Sequence, residues 1–343
     1  MLCVASRAYG EVKLEARAEG LWVLKITVIA TVLNEEKSVV ELVESLAAQT
    51  RRPDEVIISD GGSTDRTVER IRDTAGDRLN LRILELPGAN ISEGRNAAVG
   101  AATGDVIAVT DAGVRLEEDW LERLVRPFEM RPGRVDVVSG FFEPDPRNLF
   151  ELAMGATVLP SREEINPARF LPSSRSVAFT KDAWRRAGGY PEWLDFCEDV
   201  VFDLALRRAG CVFAWAPDAV ARFRPRGSLR DFWIQYFRYA RGDGKAGLWP
   251  WRHAIRYGSY GAAAAMLLGS RRHRSLLIPL AIGSALHLWA PYRRLVPRLK
   301  GLPPARKAVA IGWVPIIRLV GDLAKMAGYP VGVVWRLRQA ARS

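Results

Sequence analysis

The stretch Asp54–Thr67, DEVIISDGGSTDRT, constrains the fold of this chain more than any other. Val56, Ile57 and Ile58 form a short β-branched run, which suits a parallel strand covered on both faces. Gly61 and Gly62 permit a sharp turn where that run stops, and Ser63, Thr64 and Asp65 are residues that cap helices. The unit is a buried strand, a turn carrying two carboxylates and the start of a helix. Asp60 falls at the carboxyl end of the strand, the edge at which open α/β sheets bind ligands.

The same alternation extends from Lys25 to about Val138. Ile26–Leu33 is a β-branched run, and Glu35–Gln49 carries Val39, Leu42, Val43 and Leu46 on one helical face. A helix over Asp65–Thr74 leads to a strand at Leu81–Leu86, a helix at Ser92–Ala102 and a strand at Val106–Thr110. After Asp111-Ala112-Gly113 the pattern predicts a helix from about Glu117 to Met130 and a strand at Val135–Phe141. Repeated strand–helix units with short links imply right-handed crossovers, hence an α/β fold with a mainly parallel sheet and helices on both faces. Between Glu143 and Tyr190 the pattern loosens and prolines accumulate, as in loops that bind an acceptor. A helix at Glu198–Ala209, a strand at Cys211–Trp215 and an aromatic, basic helix near Leu229–Lys245 follow.

Charge divides the chain at about Trp251. The net charge is +11, yet residues 251–343 hold 16 Lys and Arg against one acid, Asp322, which leaves residues 1–250 at −4. A basic block on a mildly acidic body points to a polyanionic surface as partner. Cys3, Cys197 and Cys211 show neither disulfide nor zinc spacing, so a reducing compartment is expected. Residues 1–22 mix both charges without an apolar run and read as an extension rather than a signal peptide. The expected domains are therefore 1–22, an enzyme body at 23–250 and a helical tail at 251–343.

Asn34 and Glu36 after the first strand, Asp60 after the second and Asp111 after the fourth share one sheet edge. Four polar groups so placed make a site. Taken singly, Asp60 is a turn residue and Asp65 a helix cap. The ordered segments TVLNEE at 31–36, Leu46, Gln49 and Pro53, DGGSTD at 60–65, EGRNAA at 93–98, GDVIAVTDAG at 104–113, EDVVFDLALRRAG at 198–210 and QYFRYARG at 235–242 resemble family 2 glycosyltransferases of the GT-A fold, over about Lys25–Ala246.

The resemblance implies an inverting transferase that uses a nucleotide-diphosphate sugar. Thr31, Glu36 and Asp60 would hold the nucleoside, with Asn34 beside them and Arg95 near the ribose or phosphates. Asp111 matches the first aspartate of the family's DxD motif and would bind a divalent metal, Mg2+ or Mn2+. Gly113 stands where the family has a second metal-binding aspartate, so one ligand is missing. Asp199 matches the catalytic base, a role that the helix N-terminus favours by stabilising its ionised form, and Glu198 would position the acceptor. Arg238 and Arg241 match the QxxRW region, with Tyr239 in place of Trp, and are candidates for the departing phosphates; a membrane-facing surface is the other reading. Ser173–Ser176 and Thr180–Tyr190 resemble the acceptor-side segment, with the Gly188-Gly189 turn. Trp184 there either stacks on a sugar or fills a core position.

In the tail, Ala262–Leu268, Leu276–Ala290, Ala308–Leu319 and Ala327–Trp335 are each shorter than a spanning helix requires. Pro279, His287 and Arg318 interrupt the longer runs. Tryptophans and arginines among such runs describe helices lying on an anionic membrane, with a spanning hairpin or a packed helical appendage as alternatives. Nucleic acid is not the expected partner, because the basic residues lie among aliphatic runs. Together these features predict an enzyme at the cytoplasmic face of the cell membrane, passing a sugar to a lipid-linked, polysaccharide or other envelope acceptor. A sugar-nucleotide nucleotidyltransferase would carry a glycine-rich basic loop after the first strand, which TVLNEEKS lacks. A non-catalytic membrane scaffold would have no need of Asp60, Asp111 and Asp199.

Overall fold

The computed structural model describes residues 24–342; the expected extension 1–22 and Cys3 lie outside the described residues. In chain order the elements are β1 (Ile26–Val32), α1 (Val39–Ala47), β2 (Glu55–Asp60), α2 (Thr67–Ala75), β3 (Leu81–Glu85), α3 (Ile91–Ala101), β4 (Val106–Val109), β5 (Val114–Leu116), α4 (Trp120–Met130) and β6 (Val137–Pro144). There follow α5 (Leu149–Val158), β7 (Val177–Thr180), α6 (Lys181–Ala187), α7 (Glu198–Arg208), β8 (Phe213–Phe223), α8 (Leu229–Ala246), α9 (Pro250–Gly269), α10 (Leu277–Leu295) and α11 (Pro304–Ala340).

One eight-stranded sheet runs β3-β2-β1-β4-β7-β6-β8-β5. Its first four strands are parallel, in a register that sets Val32 opposite Asp60 and so brings the β1 and β2 exit loops together. Successive residues of β1 and β2 point to opposite faces, as a pleated strand requires. Val28, Val56 and Ile58 pack beneath Leu42, Leu46, Ile71 and Trp120, while Ile29 and Ile57 face Val99, Phe179, Phe202 and Leu206. Both faces are covered, which accounts for the unbroken apolar run at 56–58.

The second half of the sheet departs from the sequence pattern. β7 is antiparallel to both β4 and β6, and β5 is antiparallel to β8. The sheet is therefore mixed, and the loosened region at 143–190 contains α5, β7 and α6. The helix face of α5 was unreadable because Ala153, Met154, Gly155, Ala156 and Thr157 are all buried, leaving no clean stripe. β8 is longer than expected: pairing with β6 slips between Ser139 and Phe141 and then resumes at Val220. Pro217 lies within that break, where a residue without an N–H is tolerated. Helix α1 begins later than its apolar pattern suggested, because the Glu35 N–H is committed to Thr67 Oγ1 (2.7 Å) and Glu35–Ser38 form a turn.

The short apolar runs of the tail belong to three long helices, which continue through the charged and proline residues taken as interruptions. This corrects the length expectation: Arg274–Leu299 spans 26 residues, its most apolar 18-residue stretch has a mean hydropathy of 1.3, and among the described residues it is the one helix long and apolar enough to cross a membrane. Helices α10 and α11 pack with α5 and α8 around Ala153, Met154, Phe232, Leu295, Val314 and Ile317. The α8–α11 contact is backbone against backbone. A side chain at Gly328 would strike the Phe237 carbonyl, and one at Gly332 the Arg241 carbonyl.

Candidate active site

The β1 and β2 exit loops form one wall. Asp60, 3% exposed, is fixed by its own turn: its carboxylate accepts from the N–H groups of Gly62 (3.2 Å) and Ser63 (3.0 Å) and from the Ser63 hydroxyl. Gly62 adopts φ +98, a conformation that suits glycine. Asn34 bridges the two loops, accepting from the Thr64 N–H at 2.9 Å while its own N–H donates to Ser63 Oγ at 2.9 Å. Glu36 accepts from the Arg66 N–H at 3.3 Å and donates its N–H to Asp65 at 3.3 Å. Asp65 also accepts from the Thr67 hydroxyl and N–H, which lowers its pKa. Thr31, Glu35, Asp60, Leu86, Asn90 and Gly94 line a cavity of about 240 Å³ beside this wall. Asn34 and Glu36 are thus lacing residues at its rim, whereas Thr31 and Asp60 face the cavity.

Arg95 organises the second wall. A capping box starts α3: the Asn90 side chain accepts from the Ser92 (2.9 Å) and Glu93 (3.1 Å) N–H groups, and Glu93 accepts from the Asn90 N–H (2.7 Å). One turn later Arg95, 2% exposed, donates to Asp111 Oδ1 (2.8 Å) and Glu198 Oε1 (2.6 Å), with its guanidinium 5.2 Å from the Tyr190 ring centre. Burial opposes its charge, but the Asp111 and Glu198 carboxylates prevail and raise its pKa. Arg95, expected beside the ribose or phosphates, thus has its two ends on the Asp111 and Glu198 carboxylates.

Glu198 and Asp199 open α7, after Cys197 at φ +65. Burial pushes both carboxyls above the ordinary range, against the attraction of Arg95. For Asp199 the Val200 N–H, a 2.8 Å donor, and Arg175 also oppose the shift. The helix N-terminus was expected to favour the ionised form, and here desolvation outweighs it. A carboxylate so shifted is a stronger base once ionised. One turn on, Asp203 is 3% exposed, has no partner for Oδ2, and is driven well upward by burial and by Asp199.

Sequence reasoning missed Arg175 as a site residue. It precedes β7, its Nε lies 3.7 Å from Asp111 Oδ2, and its guanidinium sits 4.7 Å from the Phe223 ring centre and 5.7 Å from that of Phe142. Despite burial its pKa is raised, by Tyr239, Asp111 and Asp199, which surround it. The available signal was a lone cation within the small-residue segment Ser173–Ser176.

Arg238 and Arg241, the candidates for the departing phosphates, lie on α8. Arg238 is exposed, 5.5 Å from the Phe196 ring centre, and Arg241 pairs with Asp195, which also receives Lys245 Nζ at 2.8 Å. These cations brace the loop before α7. On the side expected to take the acceptor, Asn96 has every amide hydrogen and lone pair in use. It donates to the Tyr190 carbonyl (2.8 Å) and Glu192 Oε1 (2.9 Å) and accepts from the Tyr190 N–H (2.8 Å) and the Trp184 indole (3.1 Å). Trp184 packs against the Phe179 layer. Gly188 and Gly189, at φ +82 and +76, end α6 and line a groove of about 480 Å³ with Asn96, Tyr190, Trp193 and Phe202. Trp193 stacks on Trp335 of α11, 6.0 Å between ring centres and 7° from parallel.

The donor set fits a protein-held divalent metal poorly. Asp111 is the one carboxylate of its loop, Arg95 and Arg175 already address its two oxygens, and Gly113 adds no ligand. Among the described residues no group of three His, Cys, Asp or Glu side chains is placed to enclose an ion.

Residues 27–186 match the model of glycosyl transferase family 2. A glucosyl-dolichyl phosphate glucuronosyltransferase of Haloferax volcanii is 30% identical over 180 residues, 49% of this chain and 56% of that protein. The succinoglycan biosynthesis protein ExoA of Rhizobium meliloti is 27% identical over 232 residues, 64% of this chain and 68% of that protein. The chain thus spans little more than half of the first relative and about two thirds of the second. Among solved structures, the mannosyltransferase PcManGT of Pyrobaculum calidifontis, in complex with GDP-Man and Mn2+, superposes with a TM-score of 0.54 at 20% identity, over 93% of this chain and 88% of that one. That likeness shows the GT-A fold and takes in the helices after residue 250.

Proposed function

We propose that the chain is a family 2 glycosyltransferase, whose family model residues 27–186 match, and that it moves a sugar from a nucleotide-diphosphate sugar to a hydroxyl of a lipid-linked or polysaccharide acceptor, with inversion at the anomeric carbon. The observation that carries the proposal is the cluster of Asp111, Arg95, Glu198 and Asp199 beside the Asp60 cavity. In the reaction the acceptor oxygen attacks the anomeric carbon and its proton passes to Asp199. The bond from that carbon to the β-phosphate oxygen breaks, and the nucleoside diphosphate leaves. Asp60 and Thr31 hold the nucleoside, Glu198 keeps Arg95 in place, and Arg95 in turn holds Asp111. No step is routed through a metal, since Asp111 alone would meet one.

The acceptor class follows two supports. The relatives are named for dolichyl phosphate and succinoglycan chemistry, and α10 exposes Leu277, Ile278, Ile282, Leu286 and Trp289 beside the exposed basic groups Arg271, Arg272 and Arg274, while Arg293 and Arg294 at its other end pair with Glu164. Apolar surface flanked by cations suits an anionic membrane, where a lipid-linked acceptor would be presented at the cytoplasmic face.

The test is a panel of UDP-, GDP- and dTDP-sugars given to the full chain with anionic vesicles carrying polyprenyl phosphate or lipid-linked glycan. Release of nucleoside diphosphate with a glycosylated lipid or glycan of inverted configuration is expected. Release of pyrophosphate would instead identify a nucleotidyltransferase, and no turnover or nucleotide binding with any donor would point to the scaffold.

A further inference from the structure

The loop after β4 lacks a carboxylate at Gly113, and a cation, Arg175, addresses the one that remains, Asp111. A side chain built on Gly113 would meet no atom within 4 Å, so the space beside the loop is open. Arg175 reaches the Asp111 carboxylate there, with Nε 3.7 Å from Oδ2. Its planar group lies over Phe223 and Phe142, and Nη1 donates to Ser173 Oγ at 3.2 Å. Aromatic stacking holds the guanidinium in one plane, Tyr239 hydrogen-bonds it from α8, and a guanidinium edge matches the paired oxygens of a phosphate.

The other cations near this edge are committed. Arg95 is divided between Asp111 and Glu198, and Arg241 and Lys245 share Asp195. Arg238 lies over Phe196, in the loop before α7. Arg175 has one acidic neighbour within ion-pair range, Asp111, and shares it with Arg95, which Glu198 also holds.

We propose that Arg175 is the leaving-group residue of this enzyme: its guanidinium binds the diphosphate of the donor and neutralises the charge that develops on the β-phosphate as the bond to the anomeric carbon breaks. This rests on the glycosyltransferase reading above. The group is a binding and catalytic residue through direct contact with the phosphates. It performs through a fixed cation what a second aspartate would have performed through a metal.

The experiment measures binding of UDP, GDP and dTDP, each against its parent nucleoside, to the full chain and to Arg175→Gln, Arg175→Lys and Gly113→Asp/Arg175→Gln, in EDTA and in Mn2+. Melting of each variant without nucleotide serves as the folding control. In EDTA, Arg175→Gln should weaken the preferred diphosphate about 10- to 100-fold, the range for losing charge-assisted hydrogen bonds, and leave nucleoside affinity unchanged. Arg175→Lys should recover part of the loss. Mn2+ should restore diphosphate affinity in Gly113→Asp/Arg175→Gln more than in Arg175→Gln. Equal weakening of nucleoside and diphosphate, or diphosphate binding that vanishes in EDTA and ignores Arg175, would overturn the assignment while leaving the transferase reading intact. Absence of any nucleotide binding to the wild-type chain would overturn both.

Discussion

The Asp60 turn and the Arg95 cluster occupy the same edge of one sheet but are held there by different means. Asp60 takes its partners from Gly62 and Ser63, its immediate successors, and the bridging Asn34 lies on the adjacent parallel strand's exit. Asp111, Glu198 and Asp199 depend on Arg95 from α3 and Arg175 from the approach to β7, so this half of the site exists only when distant parts of the chain have met. Backbone amides bind a carboxylate at little cost in burial. Guanidinium–carboxylate pairs in the interior have first to offset desolvation, and removing one partner leaves the other buried and unpaired. The local wall is accordingly robust, and the assembled wall is where stability and chemistry become the same question.

That contrast orders the expected effects. Asp199→Asn strikes the assembled wall at its reacting group, and transfer should fall by about 10²- to 10⁴-fold, the usual contribution of a general base, with diphosphate affinity retained. Its wild-type counterpart should show an acid limb in kcat displaced above the ordinary carboxylate range, because burial raises the Asp199 pKa. Full activity in the variant would remove Asp199 from the mechanism. Arg95→Met should destabilise the fold by about 3–5 kcal/mol in denaturant titrations, as buried charge pairs do when broken. An unchanged unfolding midpoint would mean that the cluster is not a brace.

Asp60→Asn probes the local wall. Its expected signature is the reverse: about tenfold weaker nucleoside binding, from roughly 1.5 kcal/mol of charge-assisted hydrogen bonding, with kcat at saturating donor little altered. A loss confined to kcat would erase the distinction between the walls. Asp203→Asn should have the smallest effect and the most specific. Its raised native pKa means that the folded state holds the proton more tightly than the unfolded chain. The corresponding stability is fully present below the unfolded value and is lost as pH rises through the native one. The Asn variant should flatten that part of the stability curve, and an identical pH dependence would place the buried charge elsewhere.

What could be read in the sequence follows the same division. The β-branched run at 56–58, the glycines after Asp60 and the apolar face of α1 each state their structure within a dozen residues, and the parallel strands β1 to β4 follow from them. The antiparallel β7, the Arg95 brace and the position of Arg175 depend on what a segment meets after more than sixty residues of intervening chain, and no local pattern encodes that. In the tail, composition gave the apolar runs and their helical character but not the lengths of the helices. Gly328 and Gly332 look like helix weakeners until α8 is laid against them. Trp184 was open to two readings because an indole serves a core or a sugar equally well, and its hydrogen bond to Asn96 favours the first.

The Trp193–Trp335 stack has a consequence for observation. Two indoles 6.0 Å apart and 7° from parallel share their electronic transitions, so the loop that leads into Glu198 and Asp199 carries an intrinsic optical reporter against α11. Any lifting of that loop as substrate enters would separate the rings and change the near-ultraviolet dichroism. A Trp335→Phe difference spectrum would isolate this pair from the chain's 11 tryptophans, making the approach to the two α7 carboxylates visible without a label.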